Sequence, residues 1–303
     1  MSFRAALVSF LIRYTVKRQF DRIPDNITAY RERVSNSLKF SSDPPRKVIV
    51  TAVDADGVSC EWVSYGDPGD HVLLYLHGGG FVFGSPESHR GIAWRLAKAS
   101  GAKVLLVDYR LAPENPFPAA LEDATHCYRW LLEQGYAPGK TAIGGDSSGG
   151  GLAVTTMINL RNLGLPLPCS AILLSPWADL SGSGDSISAN EKKDPMLTSA
   201  ALNNLARLYL GDRDPGAPLA SPVFADLQGL PPVMVHVGST EILLSDASRL
   251  VQNMKQGGVE AELKIWPNMP HVFQIFGSRI PESRPAINQL AMFLKTHMTG
   301  ADG

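Results

Sequence analysis

Residues 141–154 read TAIGGDSSGGGLAV. Thr141–Gly144 reads as a short strand and Gly149–Asn162 as a helix. Between them stands Gly145-Asp146-Ser147-Ser148-Gly149, a G-x-S-x-G on a strand-to-helix turn. Glycines around Ser147 allow close backbone approach, so a hydroxyl can project from a tight turn. The following helix points the positive end of its dipole at the same place, which favours a developing anion. Alone the pattern is weak. At ordinary Gly and Ser frequencies a chain of this length contains it about 0.2 times by chance, and a Gly-rich connector explains it equally well. Its surroundings decide the reading.

Strands and helices alternate around this turn. Lys47–Val53 and Cys60–Tyr65 read as strands flanking the Asp56-Gly57 turn. His71–Leu76, Ala102–Tyr109, Ala171–Ser175, Pro231–Val237 and Ala261–Trp266 read as further strands, several of them near-continuous apolar runs of the kind buried on both faces. Gly91–Ser100, Ala119–Gln134, Asp246–Gln256 and Arg284–His297 read as helices. The alternation predicts an α/β fold with a mostly parallel sheet covered on both sides. A long insertion, about 179–230, rich in Gly, Ser, Asp and Pro, carries one helical stretch near Ser199–Leu210.

Sites in parallel sheets form beyond the carboxyl ends of the strands. After His71–Leu76 comes His77-Gly78-Gly79-Gly80, expected by chance only about 0.005 times. Consecutive glycines leave several N–H groups exposed at one place, as an acyl-transfer enzyme needs for its oxyanion. A phosphate-binding loop does not fit, because neither Lys-Ser/Thr nor G-x-G-x-x-G spacing follows. Glu241 and Asp246 come after Pro231–Val237, and His271 comes after Ala261–Trp266. The chain order Ser, acid, His is that of α/β-hydrolases, in which a serine needs a base and the base an orienting acid. Either carboxylate fits that order.

The blocks HGGGFVFGS at 77–85, VDYRLAPENPFPAA at 107–120, GGDSSGGGLA at 144–153, SPVFADLQGLPP at 221–232 and NMPHVF at 268–273 resemble the bacterial hormone-sensitive-lipase family (class IV) of carboxylesterases. The resemblance implies an α/β-hydrolase with a helical cap, with residues 1–45 and about 180–220 as cap elements and the rest of 46–303 as the catalytic domain. It implies Ser147 as nucleophile, His271 as base and Glu241 as the third member, with Asp246 as competitor. The N–H groups of Gly79, Gly80 and Ser148 would hold the oxyanion. His77 and Asp146 would support the glycine loop, and Arg110 and Glu114 would fix neighbouring loops. The implied activity is hydrolysis of short- to medium-chain acyl esters. A non-catalytic receptor is the alternative, since the plant gibberellin receptor resembles the family but lacks the histidine; amidase or lactonase chemistry is another.

Composition bounds the remaining classes. The 303 residues carry 28 Lys+Arg against 29 Asp+Glu, a net charge of −1, which argues against phosphate-driven nucleic-acid binding. Cys60, Cys127 and Cys169 show no CxxC spacing, so no thiolate metal site, no metal and no cofactor are expected; they read as buried apolar residues. A reducing, cytoplasmic setting is the default. The N-terminal run Ala5–Ile12 is too short for a membrane span, and neither a signal peptide nor integral membrane association is expected. Asn26-Ile27-Thr28 matches a glycosylation sequon by accident of spacing. Phe3, Leu7, Phe10, Leu11 and Tyr14 predict an amphipathic helix in the first 22 residues, among Arg4, Arg13, Lys17, Arg18 and Arg22. Such a helix can lie on a membrane surface; the expectation is that it packs on its own domain. Relatives often dimerise through a sheet edge, so a homodimer is open. The partner expected is a small-molecule ester substrate, with no nucleic acid.

Overall fold

The computed structural model describes residues 1–17, 27–38 and 44–298. Arg18, Arg22, Asn26 of the sequon and residues 41–43 before the Pro-Pro break lie outside them.

Eight strands form one sheet: β1 (Val48–Ala55), β2 (Val58–Tyr65), β3 (Val72–Leu76), β4 (Lys103–Val107), β5 (Thr141–Asp146), β6 (Ala171–Leu174), β7 (Val233–Gly238) and β8 (Ala261–Trp266). The order is β1-β2-β4-β3-β5-β6-β7-β8. Only the β1·β2 and β2·β4 pairings are antiparallel, and β4 through β8 run parallel. Every residue of β3, β5, β6 and β7 is buried; β3 and β6 accordingly read as apolar runs, while β5 carries Thr141 and Asp146 and β7 carries His236.

Alternate strand residues face opposite layers. Leu74, Leu76, Leu105, Val107, Ile143, Leu173 and Val235 share a core with α4 (Ala119–Glu133), α5 (Ser148–Asn162) and α8 (Leu244–Gln256). Leu73, Tyr75, Val104, Leu106, Ala142, Ile172 and Met234 share the other with α3 (Pro86–Ser100) and α9 (Ser283–His297). The α3 helix begins five residues before the predicted Gly91. Ser85 and Ser88 close a reciprocal capping box and Pro86 fills the first turn, so a local cap outranks the apolar pattern.

The insertion contributes a short α6 (Ser186–Ala189) and α7 (Ser199–Leu210). At the N-terminus, α1 (Phe3–Thr15) and α2 (Ile27–Leu38) lie against the body. Arg13 donates to the carbonyls of Lys192 and Lys193 at 2.9 and 2.8 Å, and Lys17 to those of Glu191 and Asp194. Arg31 of α2 donates to the Val82 and Ala112 carbonyls and pairs with Glu114. The α1 helix packs on the body as expected, but through Ala5 and Ile12, while its apolar stripe faces outward: Phe3 is 84% exposed and Phe10 57%. One expectation is corrected. Cys169 is half-buried, not buried like Cys60 and Cys127, whose sulfurs lie 3.7 Å apart. Among the described residues no helix is long and apolar enough to cross a membrane.

Candidate active site

The β5 strand ends at Asp146, and Ser147 follows at φ 53°, ψ −124°, a conformation that strains a non-glycine residue. The amide of Ser147 donates to the Leu174 carbonyl, while its own carbonyl accepts from Gly150, Gly151 and Trp177. The turn is thereby over-determined. It works only because α5 can press against β3: a Cβ on Gly149 would collide with the Leu76 carbonyl. Six described non-glycine residues have positive φ, and four of them (Phe81, Ser147, Ser175 and Val272) sit around this one spot.

His271 comes in on the loop after β8. Its Nδ1 lies 2.7 Å from Glu241 Oε2 on the loop after β7. The other Glu241 oxygen accepts from the Ser175 hydroxyl at 2.8 Å and from the Gly238 amide. Ser175 Oγ also accepts from the Val272 N–H at 3.2 Å, so one hydroxyl ties the acid to the residue after the histidine. Burial alone would lower the His271 pKa, but the hydrogen bond and charge of Glu241, helped by Asp194 and Asp146, carry it above the ordinary 6.5. Asp246 is elsewhere. It sits in the first turn of α8 and accepts from the Ala178 and Asp179 amides at 3.0 and 2.9 Å. Burial, then the neighbouring Asp179, pushes its pKa up to about 8.

The glycine loop faces Ser147. Among the described residues no protein acceptor takes the amide of Gly79, Gly80 or Ser148. Gly79 holds φ 133°, and a Cβ there would strike the Phe83 carbonyl, so the loop admits no side chain at that point. Asp146 fixes the loop from below by accepting from the Gly78 amide at 3.1 Å and the Tyr75 hydroxyl at 3.0 Å. Burial works against its ionisation, but His89, 3.3 Å away, and Tyr75 hold its pKa below the usual carboxylate range. His77 donates through Nδ1 to the Gly78 carbonyl at 2.9 Å and stacks on Tyr109. Burial, with the nearby His89, drops its pKa to about 3, so it stays neutral and is a poor base. Arg110 is bound to Asp123 and Glu122, and Glu114 to Arg31.

Ser147, His271, Gly79 and Gly80 line one cavity of about 70 Å³. Met196, Leu197, Leu202 and Leu205 of the insertion form a further wall. Among the described residues no cluster of three or more His, Cys, Asp or Glu is placed to hold a metal ion.

A family model described as alpha/beta hydrolase fold matches residues 73–275. A solved esterase of the bacterial hormone-sensitive lipase family superimposes with a TM-score of 0.93 at 41% identity, covering 98% of this chain and 99% of that one. The chain belongs to the bacterial hormone-sensitive-lipase family of esterases. An acetyl-hydrolase of Streptomyces hygroscopicus is 45% identical to this esterase over 238 residues, 78% of this chain and 80% of its own. An esterase of Acinetobacter venetianus is 37% identical over 78% of each chain.

Four groups in this esterase escaped the sequence reading. Ser175 stands at the end of β6, where the strand-end rule could have found it. His89 lies on α3 and reaches Asp146 only through the fold. Asp194, fully buried, accepts from the Met196, Leu197 and Ile242 amides and so ties the insertion to the Glu241 loop. Asn190 donates to the Glu241 carbonyl from the same segment. Nothing in the local sequence of His89, Asp194 or Asn190 signals these roles.

Proposed function

We propose that this esterase hydrolyses short-chain acyl esters through an acyl-enzyme on Ser147. The observation that carries the reading is His271, held by Glu241 at 2.7 Å behind it, lining the same cavity as a strained serine. In the first step Ser147 Oγ forms a bond to the ester carbonyl carbon while His271 Nε2 takes its proton. The bond to the alkoxy group then breaks, and His271 gives that proton to the departing alcohol. Water repeats the sequence, with His271 as base, releasing the acid and restoring Ser147. Glu241 fixes the histidine tautomer and stabilises the imidazolium. The amides of Gly79, Gly80 and Ser148 receive the oxyanion, the last of them at the positive end of α5.

Residues 1–45 and about 180–220 form the cap in this reading. Met196, Leu197, Leu202 and Leu205 support it, because they wall the cavity from the insertion. A volume of about 70 Å³ favours a short acyl group, in line with an acetyl-hydrolase among the relatives. Turnover of p-nitrophenyl esters from acetate to decanoate tests both halves. Ser147→Ala should lose at least about 10³-fold on every ester, and wild-type kcat/KM should peak at four carbons or fewer. Near-normal turnover by Ser147→Ala removes the mechanism. A peak at long chains removes only the size assignment.

A further inference from the structure

The α1 helix packs on its own body with the wrong face for its composition. Ala5 and Ile12 are buried, whereas Phe3, Leu7, Phe10 and Leu11 are 84%, 48%, 57% and 52% exposed. At about 100° per residue these four, with Tyr14, whose ring lies tilted against Phe10, fall on one arc of about 100° opposite Ala5 and Ile12. An exposed apolar stripe of this kind is unusual on a soluble surface and marks an interaction site.

The charge around the stripe selects its partner. Residues 1–20 contain Arg4, Arg13, Lys17 and Arg18 and no carboxylate, in a chain whose net charge is −1. Arg4 and Arg13 flank the stripe on its two sides. The exposed side chains of Lys192 and Lys193 stand on the segment to which Arg13 is bound. Of the carboxylates nearby, Glu191 accepts from the Ser199 amide, Asp194 is buried, and Glu282 accepts from Ser2. An apolar stripe bordered by cations is the pattern of a helix lying in a lipid headgroup layer. A second copy of a chain with this stripe would instead bring two cationic rims together.

We propose that the outward face of α1 docks this esterase on anionic lipid surfaces. The helix lies across the two segments that wall the active-site cavity. Its inner face packs against Phe273 and Ile280, and its last turn is bound to residues 191–194. Docking would therefore bring the cavity's own walls to the interface, where water-insoluble esters collect.

Flotation with vesicles tests this directly. The full chain should float with vesicles of phosphatidylcholine and phosphatidylglycerol in equal parts at low salt, and less with phosphatidylcholine alone. Phe3→Ser with Phe10→Ser should weaken binding at least about tenfold, and Arg4→Glu should weaken it only on the anionic vesicles. Both sites are exposed, so melting temperatures should stay within about 2 °C of wild type. Ser147→Ala should float like wild type, which separates this proposal from the catalytic one. A wild type that does not float, or a double variant that floats equally well, overturns the proposal. So does a solution dimer dissociated by the same substitutions without lipid binding, which would make the stripe a protein contact.

Discussion

His271 is buried, yet its pKa is carried upward because Glu241 lies 2.7 Å from Nδ1. As the proposed base, His271 must be neutral to accept the serine proton, so kcat/KM should fall as pH drops through a value above 6.5. An acid limb centred at or below 6.5 would contradict this. Glu241→Ala removes the main influence that raises the pKa and leaves only Asp194 and Asp146 against burial, which lowers it. The acid limb should then move down while the rate falls by about 10³–10⁴. Asp246→Asn should leave turnover almost unchanged. Because the folded pKa of Asp246 is raised to about 8, the wild type carries a cost that is absent near pH 4 and grows until about pH 8. The melting temperature of Asp246→Asn relative to wild type should therefore rise with pH across that window; a flat difference would contradict the shift. Ser147 and His271 were legible from motif and chain order. Choosing Glu241 over Asp246 needed the resemblance, since both follow one strand. Ser175 illustrates what stayed hidden: its hydroxyl links Glu241 to the Val272 amide across 66 and 97 residues, a relation no local pattern encodes. Ser175→Ala should cut kcat/KM about tenfold with KM little changed.

Elements set these positions through close contact between backbones. Helix α5 rests on β3 at Gly149, where a Cβ would strike the Leu76 carbonyl. Gly149→Ala should cost about 1–3 kcal/mol of stability, read as a lower urea midpoint at unchanged slope. A midpoint equal to wild type would mean that α5 can back away without consequence. The inner strands β3, β4 and β6 could be read because strands buried on both faces are largely apolar, while β1, β2 and β8 are partly exposed and were marked by the turn residues around them. Helix starts were less legible, as α3 shows, because a Ser85–Ser88 cap outweighs the apolar period. For α1 the period identified an amphipathic helix but not which way it faces. Periodicity marks a stripe, and only tertiary contact decides whether protein or solvent meets it.

Across the whole molecule, the loops carrying the glycine run, Ser147, Glu241 and His271 come from the carboxyl ends of β3, β5, β7 and β8, and the facing wall comes from the insertion between β6 and β7. The loops carried motifs; the wall did not, since a lining of Met196, Leu197, Leu202 and Leu205 resembles any apolar segment. Leu205 presses on Gly80, where a Cβ would crowd its side chain. Leu205→Ala should enlarge the cavity and move the preferred acyl chain longer by about two carbons in the p-nitrophenyl series, and an unmoved optimum would place the size limit elsewhere. Covalent capture of the proposed nucleophile, Ser147, bears on the central claim most directly. Diethyl p-nitrophenyl phosphate should label wild-type enzyme one-to-one, abolish ester turnover in step, and leave its diethylphosphoryl mass on the peptide containing Ser147. Inactivation with the label on any other residue, or full activity after labelling at Ser147, would contradict the account.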